Sequence, residues 1–284
     1  MAIENIAVLG AGIMGSGIAQ LSAISGYNVI MADISDPILN RAMRTIDKYL
    51  LKDIEKQKLT HSEYDEIKSR LDVTTNLKKA IENAHLIIEA VPEKLETKKA
   101  LIIETNEFVS DEAIFASNTS SLSITAMASV YRHPDRFIGL HFFQPVPIMK
   151  PVELVRGLST SEETARVVVS VSERMGKTVI NVKDSPGLVW NRIFIPMMNE
   201  AIYTYMEGLA TAEDIDKLAR LANATPIGPL ALADLIGLDT VLMIMEALYF
   251  EFSDSKYRPC PLLRKMVRAG YLGRKTGKGF FEYQ

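Results

Sequence analysis

The first half of the chain alternates short apolar runs with segments of helical period. The apolar runs predict strands over residues 6–9, 29–32, 85–91, 113–116, 137–143 and 152–155. The first intervening segment, residues 14–23, predicts a helix that follows the first strand closely. Apolar runs separated by helices are typical of a parallel sheet that is covered by helices on both faces.

The pattern changes near residue 185, where the strands give way to helices. Ser185 and Pro186 are typical of a helix start, because a hydroxyl can cap the first turn and proline is tolerated within it. Further helices are predicted from Thr211 onward and over residues 232–250 and 262–269. We therefore expect one α/β domain over residues 1–184 and a smaller, all-helical domain over residues 185–284.

Residues 38–71 interrupt the alternation of the first half with a long, charge-rich helical pattern. A pair of helices that protrudes from the sheet as an arm is the simplest interpretation. Lys48, Lys52 and Lys56 recur at every fourth position and therefore share one face of this arm. Such a face is either a solvated surface or a basic surface that meets a phosphate-bearing ligand.

The composition is that of an ordinary globular protein. The chain has 284 residues, of which 48% are hydrophobic and 24% are charged, and this excludes disordered, collagen-like and disulfide-scaffold classes. Its formal net charge of −3 is unlike the basic footprint of nucleic-acid-binding proteins. We therefore expect no nucleic acid among its partners.

A single cysteine, Cys260, excludes an internal disulfide and a cysteine-rich metal site. The most apolar late stretch, residues 232–250, contains Asp234, Asp239 and Glu246, so we interpret it as a buried helix and not as a membrane span. The chain opens without the pattern of a signal peptide. We expect a cytoplasmic protein that binds neither a metal nor a membrane.

Residues 10–15 have the sequence Gly-Ala-Gly-Ile-Met-Gly and lie between the first predicted strand and the first predicted helix. In this context Gly10 permits a tight turn, Gly12 a close approach of the backbone to a pyrophosphate, and Gly15 close helix packing. With Ile13 and Met14 they would place the pyrophosphate at the positive end of the helix. The sequence therefore predicts a dinucleotide-binding loop.

Asp33 follows the second predicted strand, roughly 20 residues after the glycines, as dinucleotide-binding sheets require. A carboxylate there can accept both hydroxyls of the adenosine ribose and would repel a 2′-phosphate. The next residues, Ile34 to Asp36, include no arginine that would welcome such a phosphate. We therefore expect a Rossmann-type, doubly wound sheet that binds NAD in preference to NADP.

Four histidines, His61, His85, His133 and His141, are candidates for the base that hydride transfer needs. Ligands of open α/β sheets gather at the carboxyl ends of the strands. Among the four, His141 lies late in a predicted strand, whereas the others lie in the arm, before a strand or in a loop. Position alone therefore favours His141.

Glu153 lies in an apolar run where a charge needs a partner. Prolines at positions 145, 147 and 151 could turn the chain so that Glu153 returns toward His141. A carboxylate on one ring nitrogen would then fix the tautomer and raise the basicity of the other nitrogen. The alternative is an acid that is exposed at a sheet edge.

Two further polar groups are candidate helpers of this histidine. Residues 118–121, Asn-Thr-Ser-Ser, follow the strand that ends near Ala116, although they could serve only as turn residues. Asn191 is a polar residue among apolar ones at the start of the second domain. It either faces the first domain as a ligand or is a buried amide with its hydrogen bonds satisfied.

These motifs together resemble the short-chain L-3-hydroxyacyl-CoA dehydrogenase family, and within it most closely the 3-hydroxybutyryl-CoA dehydrogenases. The resemblance covers essentially the whole chain. Its markers lie at residues 10–15, 88–93, 116–122, 141–143, 152–155, 186–187, 191–192, 228–230 and 273–280. Several long motifs in order are more specific than any one of them.

The resemblance implies hydride transfer between L-3-hydroxyacyl-CoA and NAD, with 3-hydroxybutyryl-CoA and acetoacetyl-CoA as the expected pair. His141 would be the general acid and base, Glu153 its orienting partner, and Ser120 and Asn191 the residues that hold the substrate oxygens. Besides the glycine loop and Asp33, we expect cofactor contacts at Glu89, Ala90, Glu93, Lys98, Asn118, Ser120, Gln144 and Lys275.

The resemblance also bears on the basic arm and on assembly. Lys56 matches a lysine that meets the CoA portion in the family, and Lys52 lies one turn before it, so both are expected to bind substrate. The helical domains pair in the family, which implies a homodimer. The apolar residues 193–198 would belong to the core of the second domain or to the subunit interface, and the core is favoured.

Three residues depart from the usual family pattern. Gln144 stands where an asparagine is usual, and Leu188 and Trp190 differ around the start of the second domain. These differences concern substrate range and cofactor geometry more than catalysis. The alternatives are a dehydrogenase of a free hydroxy acid or of a specialised acyl-CoA on the same fold, and a non-enzymatic NAD-binding protein.

Overall fold

The computed structural model describes residues 2–283. The chain divides into two compact units, the first ending at Asp184 and the second beginning at Ser185. Each unit is built around its own hydrophobic core. The first unit contains the predicted sheet and the second contains helices.

Eight strands form one sheet in the first unit. The strands are β1 (Asn5–Leu9), β2 (Asn28–Ala32), β3 (Leu71–Thr74), β4 (Leu86–Glu89), β5 (Ile114–Ser117), β6 (Phe137–Phe142), β7 (Pro151–Arg156) and β8 (Thr178–Lys183). Their order in the sheet is β3-β2-β1-β4-β5-β6-β7-β8. The chain therefore builds outward from β1 in both directions, which makes the sheet doubly wound with its switch point between β1 and β4.

Seven α-helices belong to the described residues of the first unit, 2–184. They are α1 (Ile13–Ile24), α2 (Asp36–Glu55), α3 (His61–Ser69), α4 (Leu77–Ile81), α5 (Leu95–Thr105), α6 (Ile124–Ala128) and α7 (Glu162–Arg174). One face of the sheet, with Ile6 and Val8, packs against Ile18 of α1 and Val168 of α7. On the other face the ring of Phe115 stacks on that of Phe137, with 5.2 Å between their centroids.

The helical arm consists of α2 and α3, as the pattern predicted, but it ends earlier because Leu71 begins strand β3. Leu39, Ala42, Ile46 and Leu50 bury one face of α2 in the core. The three lysines of the predicted basic face are exposed. The arm is therefore fixed to the core along one side and presents its charges on another.

The sequence pattern did not predict two of the strands, β3 and β8. In addition, one pair of neighbouring strands is antiparallel, whereas a parallel sheet was expected. β3 and β8 are the edge strands, and most of their side chains are only partly buried or exposed, so neither forms a continuous apolar run. β7 runs antiparallel to β6, whereas every other neighbouring pair is parallel. An antiparallel partner needs only a short connection and no crossover helix.

The second unit is built from α8 (Trp190–Met206), α9 (Ala212–Asn223), α10 (Pro229–Ile236), α11 (Leu238–Phe252) and α12 (Pro261–Arg268). The predicted helix start at Ser185 is wrong, because Gly187 and Leu188 have φ of +76° and +53° and α8 begins only at Trp190. The predicted single helix over 232–250 is also wrong. Gly237, with φ of +103°, separates α10 from α11.

Candidate active site

The turn between β1 and α1 shows why glycines are needed there. A Cβ at Gly10, whose φ is +102°, would lie 2.7 Å from the carbonyl oxygen of Ala90. A Cβ at Gly15 would lie 1.7 Å from the carbonyl oxygen of Gly10. Packing therefore excludes side chains at both positions. Gly12 differs, since a Cβ there would meet no protein atom within 4 Å and its φ is −69°.

These residues fit the pyrophosphate of a dinucleotide. The space beside Gly12 is open, which lets a ligand approach the backbone closely. No side chain caps the N-terminus of α1, so the amides of its first turn keep their hydrogen-bonding capacity for an anion. Ile13 is 73% exposed, whereas Met14 is partly buried and packs against the core.

Asp33 is tied to this loop. Its Oδ2 accepts a hydrogen bond from the Ala11 amide at 2.7 Å, and its Oδ1 accepts one from the Ile34 amide at 2.7 Å. The carboxylate lies directly after β2 and is only half-buried. Because each carboxylate oxygen can accept more than one hydrogen bond, Asp33 can hold ribose hydroxyls while it orients the loop.

Glu89, at the end of β4, and Lys98, in α5, form a buried ion pair. The Lys98 Nζ lies 2.6 Å from Glu89 Oε1, and both side chains have an exposed fraction of 0%. Glu89 also accepts hydrogen bonds from the Ser117 hydroxyl at 2.6 Å and the Val91 amide at 2.7 Å. In this conformation the two side chains brace the carboxyl ends of β4 and β5. The cofactor contacts expected at Glu89 and Lys98 stay predictions.

Glu93 lies beside Lys98 of this pair and accepts hydrogen bonds from the turn that contains Ser120. One oxygen, Oε1, accepts hydrogen bonds from the Thr119 hydroxyl at 2.6 Å, the Ser120 amide at 2.9 Å and the Ser121 hydroxyl at 3.0 Å. Its other oxygen lies 3.4 Å from Lys98 Nζ. The position of Ser120 is therefore set by a carboxylate that follows a different strand.

The charge of Glu93 is favoured by its surroundings. Burial by itself would raise the pKa of Glu93, but the Lys98 ammonium and the hydrogen bonds from Thr119, Ser120 and Ser121 hold that pKa below its ordinary value. The residue is consequently an anion at neutral pH. It can accept, but not donate, hydrogen bonds in the turn.

Asn118 links the ends of two strands. Its backbone amide donates to the carbonyl oxygen of Glu89 at 2.8 Å, and its side-chain Oδ1 accepts from the Phe142 amide at 2.9 Å. The polar run that follows β5 is thus more than turn chemistry, because it fixes the end of the strand that contains His141. Thr119 and Ser121, for which the sequence predicted no role beyond their place in this run, belong to the same network.

His141 and Glu153 face each other across the antiparallel pair β6–β7. They are directly opposite in register, and His141 Nδ1 lies 2.7 Å from Glu153 Oε2. The exposed fractions of their side chains are 12% and 4%. The alternative of an exposed edge acid is therefore wrong, because β8 covers the far side of β7.

The remaining histidines lie elsewhere. His85 precedes β4 at the amino end of the strand, where Nδ1 accepts from the Glu4 and Asn5 amides. His133 precedes β6, and its Nε2 lies 3.2 Å from Asp111 Oδ1 at the surface. His61 begins α3. The structure thus brings only His141, among the four, to the carboxyl edge of the sheet beside Asn118.

Gln144 is exposed in the segment that joins β6 to β7, and a cis peptide bond connects it to Pro145. Ala90, another predicted cofactor contact, lies against Gly10 in the dinucleotide loop, and its amide donates to the Leu9 carbonyl at 2.7 Å. Lys52 and Lys56 are exposed at the end of α2. These four positions belong to the first unit, like the histidine.

Two predicted site residues belong to the second unit. Asn191 is the second residue of α8 and is 4% exposed, so it is a buried amide. Lys275 lies in a short 3₁₀ turn near the C-terminus, and its ammonium forms an ion pair with Asp239 at the start of α11. Their roles in a shared site stay predictions.

Residues 2–283 contain neither a membrane-spanning helix nor a cluster of metal-binding side chains. No helix within residues 2–283 is both long and apolar enough to cross a membrane. Among the same residues, no cluster of three or more His, Cys, Asp or Glu side chains could hold a metal ion.

Comparison with known proteins assigns this chain to a family. The sequence model of the 3-hydroxyacyl-CoA dehydrogenase NAD-binding domain matches residues 5–185, and that of the family's C-terminal domain matches residues 187–283. The chain belongs to the 3-hydroxyacyl-CoA dehydrogenase family. It is accordingly an NAD-dependent oxidoreductase of the class that the dinucleotide loop and Asp33 predicted.

Individual relatives resemble the chain over its full length. It is 46% identical to the 3-hydroxybutyryl-CoA dehydrogenase of Clostridioides difficile, over 98% of this chain and 99% of the relative. It is 44% identical to that of Bradyrhizobium diazoefficiens, over 99% and 96%. The crystal structure of (S)-3-hydroxybutyryl-CoA dehydrogenase from Ralstonia eutropha superimposes with a TM-score of 0.97, at 48% identity and full coverage of both chains.

Proposed function

We propose that this protein interconverts L-3-hydroxyacyl-CoA and 3-ketoacyl-CoA with NAD, and that 3-hydroxybutyryl-CoA and acetoacetyl-CoA are its preferred pair. The observation that carries the proposal is the enclosed His141–Glu153 pair at the carboxyl edge of a sheet with a dinucleotide loop. Full-length relatives with the name 3-hydroxybutyryl-CoA dehydrogenase support the short acyl chain.

His141 moves the proton of the reaction at Nε2. Because Nδ1 donates its hydrogen to Glu153, the neutral ring keeps its lone pair on Nε2. In oxidation, Nε2 takes the proton of the substrate 3-hydroxyl, and in reduction it returns that proton to the 3-keto oxygen. Glu153 stabilises the imidazolium that forms. Bound NAD supplies the hydride acceptor for the substrate carbon.

Ser120 and Asn191 are proposed to hold the substrate oxygens. Glu93 supports this role for Ser120, because its carboxylate fixes the turn by accepting hydrogen bonds from three successive residues. We expect Ser120→Ala to raise the KM for acetoacetyl-CoA, since the hydroxyl is lost while the turn keeps its other bonds to Glu93. An unchanged KM would remove Ser120 from the substrate site.

A homodimer formed through the second unit is part of the proposal. Several apolar side chains of that unit are exposed, and such surfaces often mark interfaces. Residues 193–198 are divided between the two earlier alternatives, because Ile195 and Met198 are buried whereas Ile193 and Met197 are exposed. We extend the proposal to a cytoplasmic location, which a free, buried Cys260 supports and cell fractionation would test.

The decisive experiment is reduction of acetoacetyl-CoA, followed through the absorbance of NADH. General acid–base catalysis contributes about 10²–10⁴-fold, so His141→Gln is expected to lose kcat by that factor while NADH binds as in the wild type. His133→Gln is the matched control, because His133 also lies beside a carboxylate, Asp111, but at the surface. Near-normal turnover by His141→Gln would overturn the assignment of the base.

The same assay distinguishes the other functions. Turnover of free acetoacetate at a comparable rate would favour a dehydrogenase of free hydroxy acids. Turnover only of longer or branched 3-ketoacyl-CoA thioesters would assign a specialised acyl group, with Gln144 and Trp190 as the first residues to exchange. Binding of NADH without turnover of any thioester would favour a non-enzymatic NAD-binding protein.

A further inference from the structure

Lys177 is a buried lysine that the mechanism above does not use. It lies between α7 and β8 and is 7% exposed. Its Nζ donates to the carbonyl oxygens of Val146 at 2.5 Å and Met149 at 2.7 Å. Among residues 2–283 no carboxylate lies within ion-pair distance of it, so backbone dipoles alone compensate its charge. Burying an ammonium costs free energy, which its hydrogen bonds to the two carbonyl oxygens offset only in part.

The segment that Lys177 holds joins the two strands of the His141–Glu153 pair. Within it, the amides of Ile148 and Met149 both donate to the carbonyl oxygen of Pro145 at 3.0 Å. Lys177 then binds two carbonyl oxygens on this turn, and the adjacent Thr178 amide donates to the Lys150 carbonyl at 2.8 Å. One ammonium thus ties residues 145–150 to the start of β8.

The same segment rests on the helix of the dinucleotide loop. Val146 is 2% exposed, and a Cβ at Gly17 of α1 would lie 3.0 Å from the Val146 Cβ. Gly17 is two residues beyond Gly15. The carbonyl that Lys177 binds and the side chain that rests on α1 therefore belong to the same residue, Val146.

We propose that Lys177 is a positioning residue, which fixes the segment 145–150 against α1 and thereby sets the arrangement of the adjoining Gln144 and of the dinucleotide loop for the cofactor. This inference rests on the proposed function, in which Gln144 and the loop contact NAD. Burial lowers the pKa of Lys177, because the loss of water disfavours the charged ammonium. The lysine itself touches neither the reacting atoms nor His141.

The test compares Lys177→Met, which keeps much of the side-chain volume but removes the donors, with Lys177→Gln, which restores an N–H donor. Removing a charged hydrogen-bond donor from one buried and one partly buried carbonyl oxygen is expected to raise the Kd and the KM for NADH about tenfold or more. kcat at saturating NADH is expected to change little, because the register of β6 and β7 positions the catalytic pair. Lys177→Gln should recover part of the affinity.

Hydrogen exchange in the ligand-free protein supplies a readout that does not depend on activity. In Lys177→Met, the amides of Ile148 and Met149 are expected to exchange faster, while those inside β6 and β7 keep their protection. Lys183→Met is the matched control, since Lys183 lies at the other end of β8 and its side chain is exposed. It should change neither exchange nor the KM for NADH.

A second perturbation covers the case in which Lys177→Met does not fold. Gly17→Ala places a methyl group against Val146 from the other side, and it is expected to raise the KM for NADH in the same direction. Unchanged NADH affinity and unchanged exchange in both variants would overturn the inference. Equal losses of kcat and affinity with a general drop in melting temperature would also overturn it, as a purely structural role predicts. Failure of the wild type to reduce acetoacetyl-CoA would overturn the proposed function instead.

Discussion

At the scale of single residues, Glu93 shows how one carboxylate connects distant parts of the chain. Its oxygens receive bonds from the turn after β5 and from the ammonium of α5, although Glu93 itself follows β4. Its depressed pKa means that the folded state favours the charged form. This preference stabilises the fold above the ordinary pKa of a glutamate and is lost as the pH falls through the lower pKa of the folded state.

Glu93→Gln is therefore expected to lower the melting temperature at neutral pH by several degrees. The amide keeps an acceptor but loses the charge that Lys98 and three donors favour, a change worth about 1–3 kcal/mol. The difference from the wild type should shrink as the pH falls from the ordinary pKa of a glutamate, about 4.3, through the lower pKa of the folded state, below which the wild-type carboxylate is protonated too. Scanning fluorimetry across pH values measures this, with the exposed Glu96→Gln as the control. A difference that does not depend on pH would contradict the role of the charge.

The glycines of the dinucleotide loop have different reasons for being glycine, and substitution should separate them. Gly12→Ala is expected to fold with an unchanged melting temperature, since its added methyl group would meet no protein atom. It should nevertheless weaken NADH binding about tenfold or more, because the methyl group occupies the approach of the pyrophosphate. Calorimetry or NADH fluorescence measures the affinity.

Gly15→Ala is the contrasting variant. Its methyl group would lie 1.7 Å from a backbone oxygen, so this variant should lose stability as well as NADH binding. If Gly12→Ala bound NADH normally, the open space beside Gly12 would not be the cofactor site. If both variants lost stability equally, the distinction between packing and ligand contact would be wrong.

At the scale of elements, the basic face of the arm is expected to matter for the CoA portion of the substrate alone. Lys52→Ala combined with Lys56→Ala should raise the KM for acetoacetyl-CoA several-fold at low ionic strength. The two exposed ammonium groups attract the phosphates of CoA over about a Debye length, and the substitutions remove this attraction. This rise in KM should become smaller in added salt, because salt screens the attraction between the lysines and the phosphates. It should be absent with an acetoacetyl thioester of pantetheine, which has no phosphates.

Lys48→Ala is the comparison within the same face, because it lies one turn further from the end of α2. An equal loss with the pantetheine thioester would show that the double substitution disturbs the fold or the active site. No change with acetoacetyl-CoA would assign the face to solvent, which was the other interpretation of the three lysines.

Elements that are buried on both faces could be predicted from the sequence, and elements at the edges could not. β4 and β5 are buried at every position, so they stand out as apolar runs. The edge strand β8 has exposed Thr178, Asn181 and Lys183 and leaves no such run. This omission also left the role of Glu153 undecided, because whether its strand was an edge depended on a neighbour that the pattern did not reveal.

Helix boundaries failed where the backbone takes positive φ. Ser185 and Pro186 have the residue types of a helix start, but the left-handed conformations of Gly187 and Leu188 delay the helix. A leucine in that conformation has no sequence signal. By contrast, the choice of His141 needed only its place at the carboxyl end of a strand, which the order of elements determines.

At the scale of the whole molecule, assembly is the property with the most direct test. Leu218 and Leu221 are 69% and 75% exposed and lie three residues apart on one face of α9. If this face is part of a dimer interface, Leu218→Glu combined with Leu221→Glu should yield a monomer in sedimentation velocity. The exposed Leu158→Glu, in the first unit, is the control and should leave the assembly unchanged. A wild-type protein that sediments as a monomer would contradict the proposed homodimer.

The antiparallel pairing of β6 and β7 has a consequence for how this protein can diverge. His141 and Glu153 meet because they occupy opposite places in a ladder, and the neighbours of Glu153 in β7 are Val152 and Leu154. Insertion or deletion of one residue inside either strand would turn the carboxylate to the other face of the sheet and leave an apolar side chain opposite the imidazole. Amino-acid exchanges around the pair leave this register in place, whereas a single-codon change in the length of either strand would separate the carboxylate from the imidazole.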